Sequence, residues 1–369
     1  MGSFLNNNQK AYESNLENFE IKIFKEISKL NIGKNIVISP LSIYHILSLV
    51  ANGAKDTTLK ELLFTLNNKN QQEMDKANKS IFTTITKYTN EIEFANAIFT
   101  KINPENNFIK IVKEFKAEIN ILKDTEQINK WCNDNTHGKI PKIIESIKPN
   151  DVMILLNAIY FNGLWKYPFD KKNNFESNFM NYNKEPKKIE FMSLEKQFNY
   201  YEDEEIQAIF LKYQNESLSA VIILPNKEIN LNEYIQNFEN EKFNLIIKNS
   251  KEKDIQLNMP KFEISYESEM IPFMKNLGVK EAFTLNANFT GMCKEKNIFI
   301  NQIMHKTFIK VDEKGTEATA ATAVVMRMMC ALPEPDPIMK VDHPFLFIIG
   351  NNGLPHGNDM IFISKVESL

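Results

Sequence analysis

Apolar residues recur at intervals of three and four through Leu16, Phe19, Ile23, Ile27 and Leu30, which predicts an amphipathic helix near the start of the chain. The run Ile36-Val37-Ile38 reads as a short buried strand. Ser39-Pro40 then supplies an N-cap and a first-turn proline for a helix over residues 41–51, which Gly53 ends. Thr58 with Glu61 reads as a capping box for the next helix. Residues 92–99 have the look of a central strand, and residues 108–121 and 125–133 of helices, the second with Ile128, Trp131 and Cys132 on one face. Residues 153–165 form a near-continuous apolar run interrupted by Asn157 and Asn162, the pattern of a strand buried on both faces. Alternating strands follow over 191–225, another strand over 255–262 and a helix over 269–277. There is no internal repeat, low-complexity linker or break in composition. The expectation is one interleaved α+β domain over residues 1–369.

One segment behaves differently. In extended conformation, Thr316, Ala318, Ala320, Thr322, Val324, Met326 and Met328 share a face, and all are small or apolar. The opposite face carries Glu317, Thr319, Ala321, Ala323, Val325 and Arg327. Lys314-Gly315 favours a bend before it. Pro333, Pro335 and Pro337 after it cannot donate to a ladder. The segment is therefore a potential strand carried on an exposed loop.

Composition narrows the function classes. Hydrophobic residues make up 43% and charged residues 25%, as in a soluble globular protein. A net charge of −3 gives no reason to expect nucleic acid or an anionic membrane as partner. Arg327 is the single arginine, and it lies in the loop segment. Cys132, Cys293 and Cys330 are widely spaced and odd in number, which suggests neither a disulfide framework nor a metal cluster. No G-x-S-x-G, H-E-x-x-H or CxxC pattern points to an enzyme. The amino-terminal residues lack the pattern of a secretory signal, so the expected location is the cytoplasm, or outside the cell by a leaderless route.

Four separated blocks, NIVISPLSIYHILSLVANGA, THGKIPKII, HKTFIKVDEKGTEATAATAVV and DHPFLFII, resemble the signatures of the serpins, in particular the ovalbumin-like branch without signal peptides. The resemblance covers nearly the whole chain. It implies three β-sheets, with a large central sheet A, about eight or nine surrounding helices and an exposed reactive-centre loop over about 313–337. It also implies a suicide-substrate inhibitor of serine proteases, not an enzyme. The protease would cut the loop and form an acyl-enzyme. The hinge, comprising Glu313, Gly315, Thr316, Glu317, Ala318, Thr319, Ala320, Ala321 and Thr322, would then insert into sheet A as a new strand. About 15 inserted residues would carry the loop end roughly 50 Å, at about 3.3 Å per residue. Family spacing puts the reactive bond at Met329-Cys330, suited to chymotrypsin-like or elastase-like proteases of the cathepsin G type. Arg327-Met328, which suits a trypsin-like pocket, and Met328-Met329 are the alternatives. A non-inhibitory storage, carrier or chaperone-like serpin, or an inhibitor of cysteine proteases, is the competing reading.

The same resemblance assigns a shutter of polar groups beneath sheet A to Asn35, Ser39, Ser42, Asn157 and His305, and the breach at its top to Trp165. The expected partner is a protease held covalently by a monomer, with no cofactor or metal. Lys76, Lys79 and Lys87 lie where some serpins bind heparin, but Glu73 and Asp75 are mixed with them. They read as a solvated helix face, so a heparin-type glycosaminoglycan is not expected. Ser364 stands where the family usually has glycine, and Gly350 where a basic residue is frequent.

Overall fold

The computed structural model of the chain describes residues 7–75, 78, 91–294, 298–316, 337–351 and 360–369. Its helices are α1 (Asn7–Leu30), α2 (Pro40–Ala51), α3 (Asp56–Thr65), α4 (Asn106–Glu114), α5 (Thr125–Asp134), α6 (Leu231–Gln236), α7 (Asn240–Asn249) and α8 (Ile271–Leu277). The early strands are β1 (Ile36–Ile38), β2 (Ile92–Thr100), β3 (Glu118–Ile121), β4 (Met153–Phe161), β5 (Gly163–Leu164), β6 (Phe175–Met180), β7 (Pro186–Glu202) and β8 (Ile206–Lys212). The later ones are β9 (Leu218–Pro225), β10 (Lys251–Pro260), β11 (Phe262–Glu269), β12 (Ile300–Val311), β13 (Gly315–Thr316), β14 (Ile338–Lys340), β15 (Phe345–Asn351) and β16 (Met360–Val366).

The central sheet runs β3-β2-β4-β12, with β11 also paired to β12, and with β13 and β5 continuing beyond one end. Its middle pair, β4 and β12, is parallel: Met153 lies opposite Ile300, the register shifts by one between Ile300 and Gln302, and it then runs unbroken from Ile154 opposite Gln302 to Ile159 opposite Thr307. The remaining strands form β1-β16-β15-β9-β8-β7-β10-β14, with β6 also on β7. That network divides at β7, which pairs with β10 over ten residues but with β8 only over Asn199–Glu202. The two parts and the central sheet make the expected three-sheet α+β architecture.

β4 sits between two cores. Leu155, Ile159 and Phe161 join the large core that also contains α2, whose residues are all buried. Ile154, Leu156 and Ala158 face a smaller core with Ile128 and Cys132 of α5. A strand with apolar side chains on both faces can only be central, as its unbroken apolar pattern predicts.

Three local expectations change. α1 buries Leu16, Phe19, Ile23 and Ile27, but Leu30 at its end is 54% exposed. Thr58 and Glu61 do not form a capping box, because α3 starts two residues earlier at Asp56. Both instead bond across to another segment: Thr58 Oγ1 donates to Glu281, and Glu61 accepts from the Lys280 and Glu281 amides. The helix expected over 108–121 stops at Glu114. Lys116 takes a left-handed conformation (φ 50°), and Glu118–Ile121 pairs with β2 as a strand.

Candidate functional site: the hinge and the seam between two parallel strands

The seam between β4 and β12 is closed along its length and parted at one end. Beyond Ile159 and Thr307 the two strands separate, and β13 sits in the gap. There Thr316 pairs with Val311 on one side and Gly163 on the other, antiparallel to both neighbours. So the first residues of the loop already occupy the position of a strand between β4 and β12.

Two glycines permit this approach. A Cβ on Gly315 would lie 2.1 Å from the Gly163 carbonyl oxygen, and one on Gly163 would lie 2.7 Å from the Phe161 ring. Aromatic packing completes the wedge. Trp165, 1% exposed, stacks on Tyr213 with centroids 4.6 Å apart, and its Nε1–H donates to the Asp312 carbonyl at 3.0 Å. The hydroxyls of Tyr213 and buried Thr316 hydrogen-bond at 2.8 Å. Burial pushes the Tyr213 phenol above its ordinary pKa, with the Thr316 bond opposing, so it remains a neutral hydrogen-bonding group.

Just before the wedge, Glu313 accepts from Asn174 at 2.6 Å and pairs with Lys261 at 3.0 Å. Burial alone would raise the Glu313 pKa. The bonds from Asn174, its own amide and Lys261 outweigh that, and the carboxyl stays below its usual range. The hinge root is therefore anchored by charge as well as by the sheet.

Further down the closed seam, Asn157 of β4 lies opposite His305 of β12, and both are fully buried. The Ser39 amide donates to His305 Nε2 at 3.3 Å, which leaves Nδ1 to carry the proton and donate to Asn157 Oδ1 at 2.6 Å. Burial pushes the imidazole pKa down to about 3, so the ring is neutral. Asn157 Nδ2 in turn donates to the Ser42 carbonyl at 3.1 Å, to the Ser42 hydroxyl and to Asn96 Oδ1 at 2.5 Å. Ser39 also caps α2, its Oγ accepting from the Ser42 amide at 3.3 Å. The first turn of α2 thus rests on a buried polar network within the seam.

Ser39, Ser42, Asn157 and His305 come together in this network. Asn35 does not join it. Its side chain accepts from the Glu367 and Ser368 amides and donates to the Ser368 carbonyl, clasping the end of the chain. Glu313, Gly315, Thr316 and Trp165 meet at the parted end. Glu317, Ala318, Thr319, Ala320, Ala321 and Thr322, together with Arg327, Met328, Met329 and Cys330, lie outside the described residues, as do Lys76, Lys79 and Lys87. Among the described residues, no group of three or more His, Cys, Asp or Glu side chains could hold a metal ion, and no helix is long and apolar enough to cross a membrane.

The chain and its fold find their counterpart in known proteins. The family model described as "Serpin (serine protease inhibitor)" matches residues 14–369. The chain is a serpin. Its relatives include human Serpin B8, 31% identical over 95% of this chain and 97% of that protein. Another is the leukocyte elastase inhibitor of Xenopus laevis, 30% identical over 95% and 97%. Among solved structures, the thermophilic serpin tengpin in its native state aligns with TM-score 0.88 and 32% identity, covering 100% of this chain and 96% of that one. Serpins are protease inhibitors, not catalysts, and conformational change is a general property of the family.

The sequence pattern missed Gly163, Tyr213, Lys261, Asn96 and Thr307, whose hydroxyl donates across to the Val37 carbonyl at 2.6 Å. Two of these had a signal. Asn96 interrupts the otherwise apolar stretch 94–99 of β2, and Gly163 comes two residues after the end of β4. Tyr213 and Lys261 reach the site only through tertiary pairing.

Proposed function

We propose that this serpin is a suicide-substrate inhibitor of serine proteases of chymotrypsin-like or elastase-like specificity. The protease serine attacks the Met329 carbonyl carbon, the amine of Cys330 leaves, and the loop is held as an ester on the enzyme. The severed hinge then inserts between β4 and β12 and carries the acylated protease away before water completes hydrolysis. The observation that carries this reading is the pairing of Thr316 between Val311 and Gly163, which is an insertion already begun.

The register gives the rest of the path. Continuing both pairings six residues along the loop sets Thr322 opposite His305 on one side and Asn157 on the other, and those two already face each other. Two independent ladders thus agree on one course. Paired residues share a sheet face, so Ala318, Ala320, Thr322, Val324 and Met326 would all enter the core beneath α2. The thirteen-residue alternation of small and apolar side chains meets that requirement. A parallel pair, slightly weaker per residue, would be exchanged for two antiparallel ladders, each new bond contributing about 1 kcal/mol net. This difference makes the uncut protein metastable. The relative named an elastase inhibitor supports the protease class.

The test is incubation with chymotrypsin, elastase, cathepsin G and trypsin, followed by denaturing gels. A band at the summed mass, with a released carboxy-terminal peptide beginning at Cys330, is expected. Release beginning at Met328 with trypsin would transfer the reactive bond to Arg327. Cleavage by all four without any covalent band would replace inhibition by a carrier or storage role.

A further inference from the structure

Away from the seam, a cavity of about 500 Å³ opens between four segments distant in sequence. They are the end of β6 with the turn after it, the connection from β9 to α6, the connection from β14 to β15, and the residues just past β16. Its size falls in the range of small-molecule sites, and walls drawn from separate sheet ends hold such a space open.

The polar floor is fixed. Glu367 and Lys365 are both fully buried and pair at 2.8 Å. Lys365 Nζ also donates to the Asn31 carbonyl at 2.9 Å and to Asn232 Oδ1 at 2.8 Å, while Asn232 Nδ2 donates to Glu367 Oε1 at 2.5 Å. The Lys365 ammonium stands behind the Glu367 carboxylate and neutralises it as an ion pair. On the wall, Asp342 is likewise balanced by Lys227 at 3.1 Å and by the His343 ring at 2.8 Å. Among the described residues lining the cavity, Lys184 and Lys340, the latter with its Nζ 5.8 Å from the centre of the Phe191 ring, face the carboxylate of Glu228. Beside them stands apolar surface that water covers poorly. Met180 and Tyr182 are 42% and 39% exposed, and Ile229 and Pro344 continue the lining.

We propose that this cavity binds a small amphipathic monoanion, an aromatic or medium-chain aliphatic acid. Its apolar body lies against Met180, Tyr182 and Ile229, and its headgroup is taken by Lys184 and Lys340. The seam and hinge contribute no residue to the cavity, so this proposal stands or falls apart from protease trapping.

The test uses the full chain, with anilinonaphthalene sulfonate as probe, dodecanoate as competitor and neutral N-phenylnaphthylamine as control, read by fluorescence titration and calorimetry. Saturable binding at one site is expected, displaced by dodecanoate and at least tenfold weaker for the neutral control. Ile229→Trp fills the cavity and should abolish it. Lys184→Glu with Lys340→Glu, both at the cavity mouth, should weaken the anion at least tenfold and leave the neutral control unchanged, with melting temperature confirming that the variants fold. Absence of a saturable site, or binding untouched by Ile229→Trp in a folded variant, overturns the site. Equal affinity for the neutral control, or no loss in the lysine variant, overturns the anionic class.

Discussion

The hinge end and the middle of the β4/β12 seam hold the same two strands by opposite means. At the hinge end, two glycines and the Trp165–Tyr213 stack let β13 stand between the strands. At the middle, no strand intervenes, and His305 meets Asn157 directly across the interface. One end is a wedge set in place. The other is a polar closure in apolar surroundings, where an unpaired group would cost about 1–3 kcal/mol. On the proposed mechanism the two act together, the wedge fixing where opening starts and the closure setting how far it runs unprompted. On the proposed path, the Thr322 hydroxyl would arrive where the His305–Asn157 bond breaks, so the closure could be exchanged without stranding a buried polar group.

The sharpest way to break this contrast is at the wedge. Thr316 is fully buried against Tyr213, so Thr316→Arg places a charge where insertion begins. The expected outcome is complete conversion from inhibitor to substrate: cleavage continues and the covalent band disappears. Persistence of that band would remove the hinge assignment. The next largest effect needs no mutation. Cutting the loop with a non-target protease should let β13 lengthen into a full strand and raise the melting temperature by tens of degrees. A cut form melting no higher than the uncut one would mean that no ladder was waiting to form.

Acid attacks the closure. His305 titrates near 6.5 when unfolded and at about 3 when folded, so between those values the unfolded chain binds the extra proton. The stability it contributes is fully present above pH 6.5 and lost as pH falls toward 3, roughly 4–5 kcal/mol in all. Burial lowers the pKa of His45 as well, in the same sense. Urea unfolding midpoints should hold from pH 7.5 to about 6.5 and fall from there to pH 4. A flat profile would mean that the ring is not held neutral by this seam.

Much of this was legible in the chain. The double-faced burial of β4 follows from an apolar run with no alternation. What could not be read is what depends on partners. Thr58 and Glu61 have the spacing of a cap, yet both serve the segment at 280–288 because tertiary acceptors and donors outcompete local ones. Asn35 shares its sequence block with Ser39 and Ser42, but it lies before β1, beside the carboxy-terminal residues, and bonds there instead. Lys116 gave no sign of a left-handed break, since lysine has no special preference for it.

The smallest expected effect separates the two halves of the wedge. Trp165→Phe keeps an aromatic ring over Tyr213 but removes the Nε1–H that satisfies the Asp312 carbonyl. One hydrogen bond lost at a partly buried acceptor should cost about 1–2 kcal/mol. Because Asp312 lies between β12 and the hinge, that loss should loosen β13 and leave the His305–Asn157 closure intact. The variant should therefore still form the covalent complex. Its uncut form should melt a few degrees lower, while the melting temperature of the cut form changes less, since a fully inserted strand is held along its whole length. If both forms fall equally, Trp165 supports the core in general and not the wedge. If the covalent complex is lost, the bond to Asp312 is part of the insertion step itself, and the wedge and the closure are not separable.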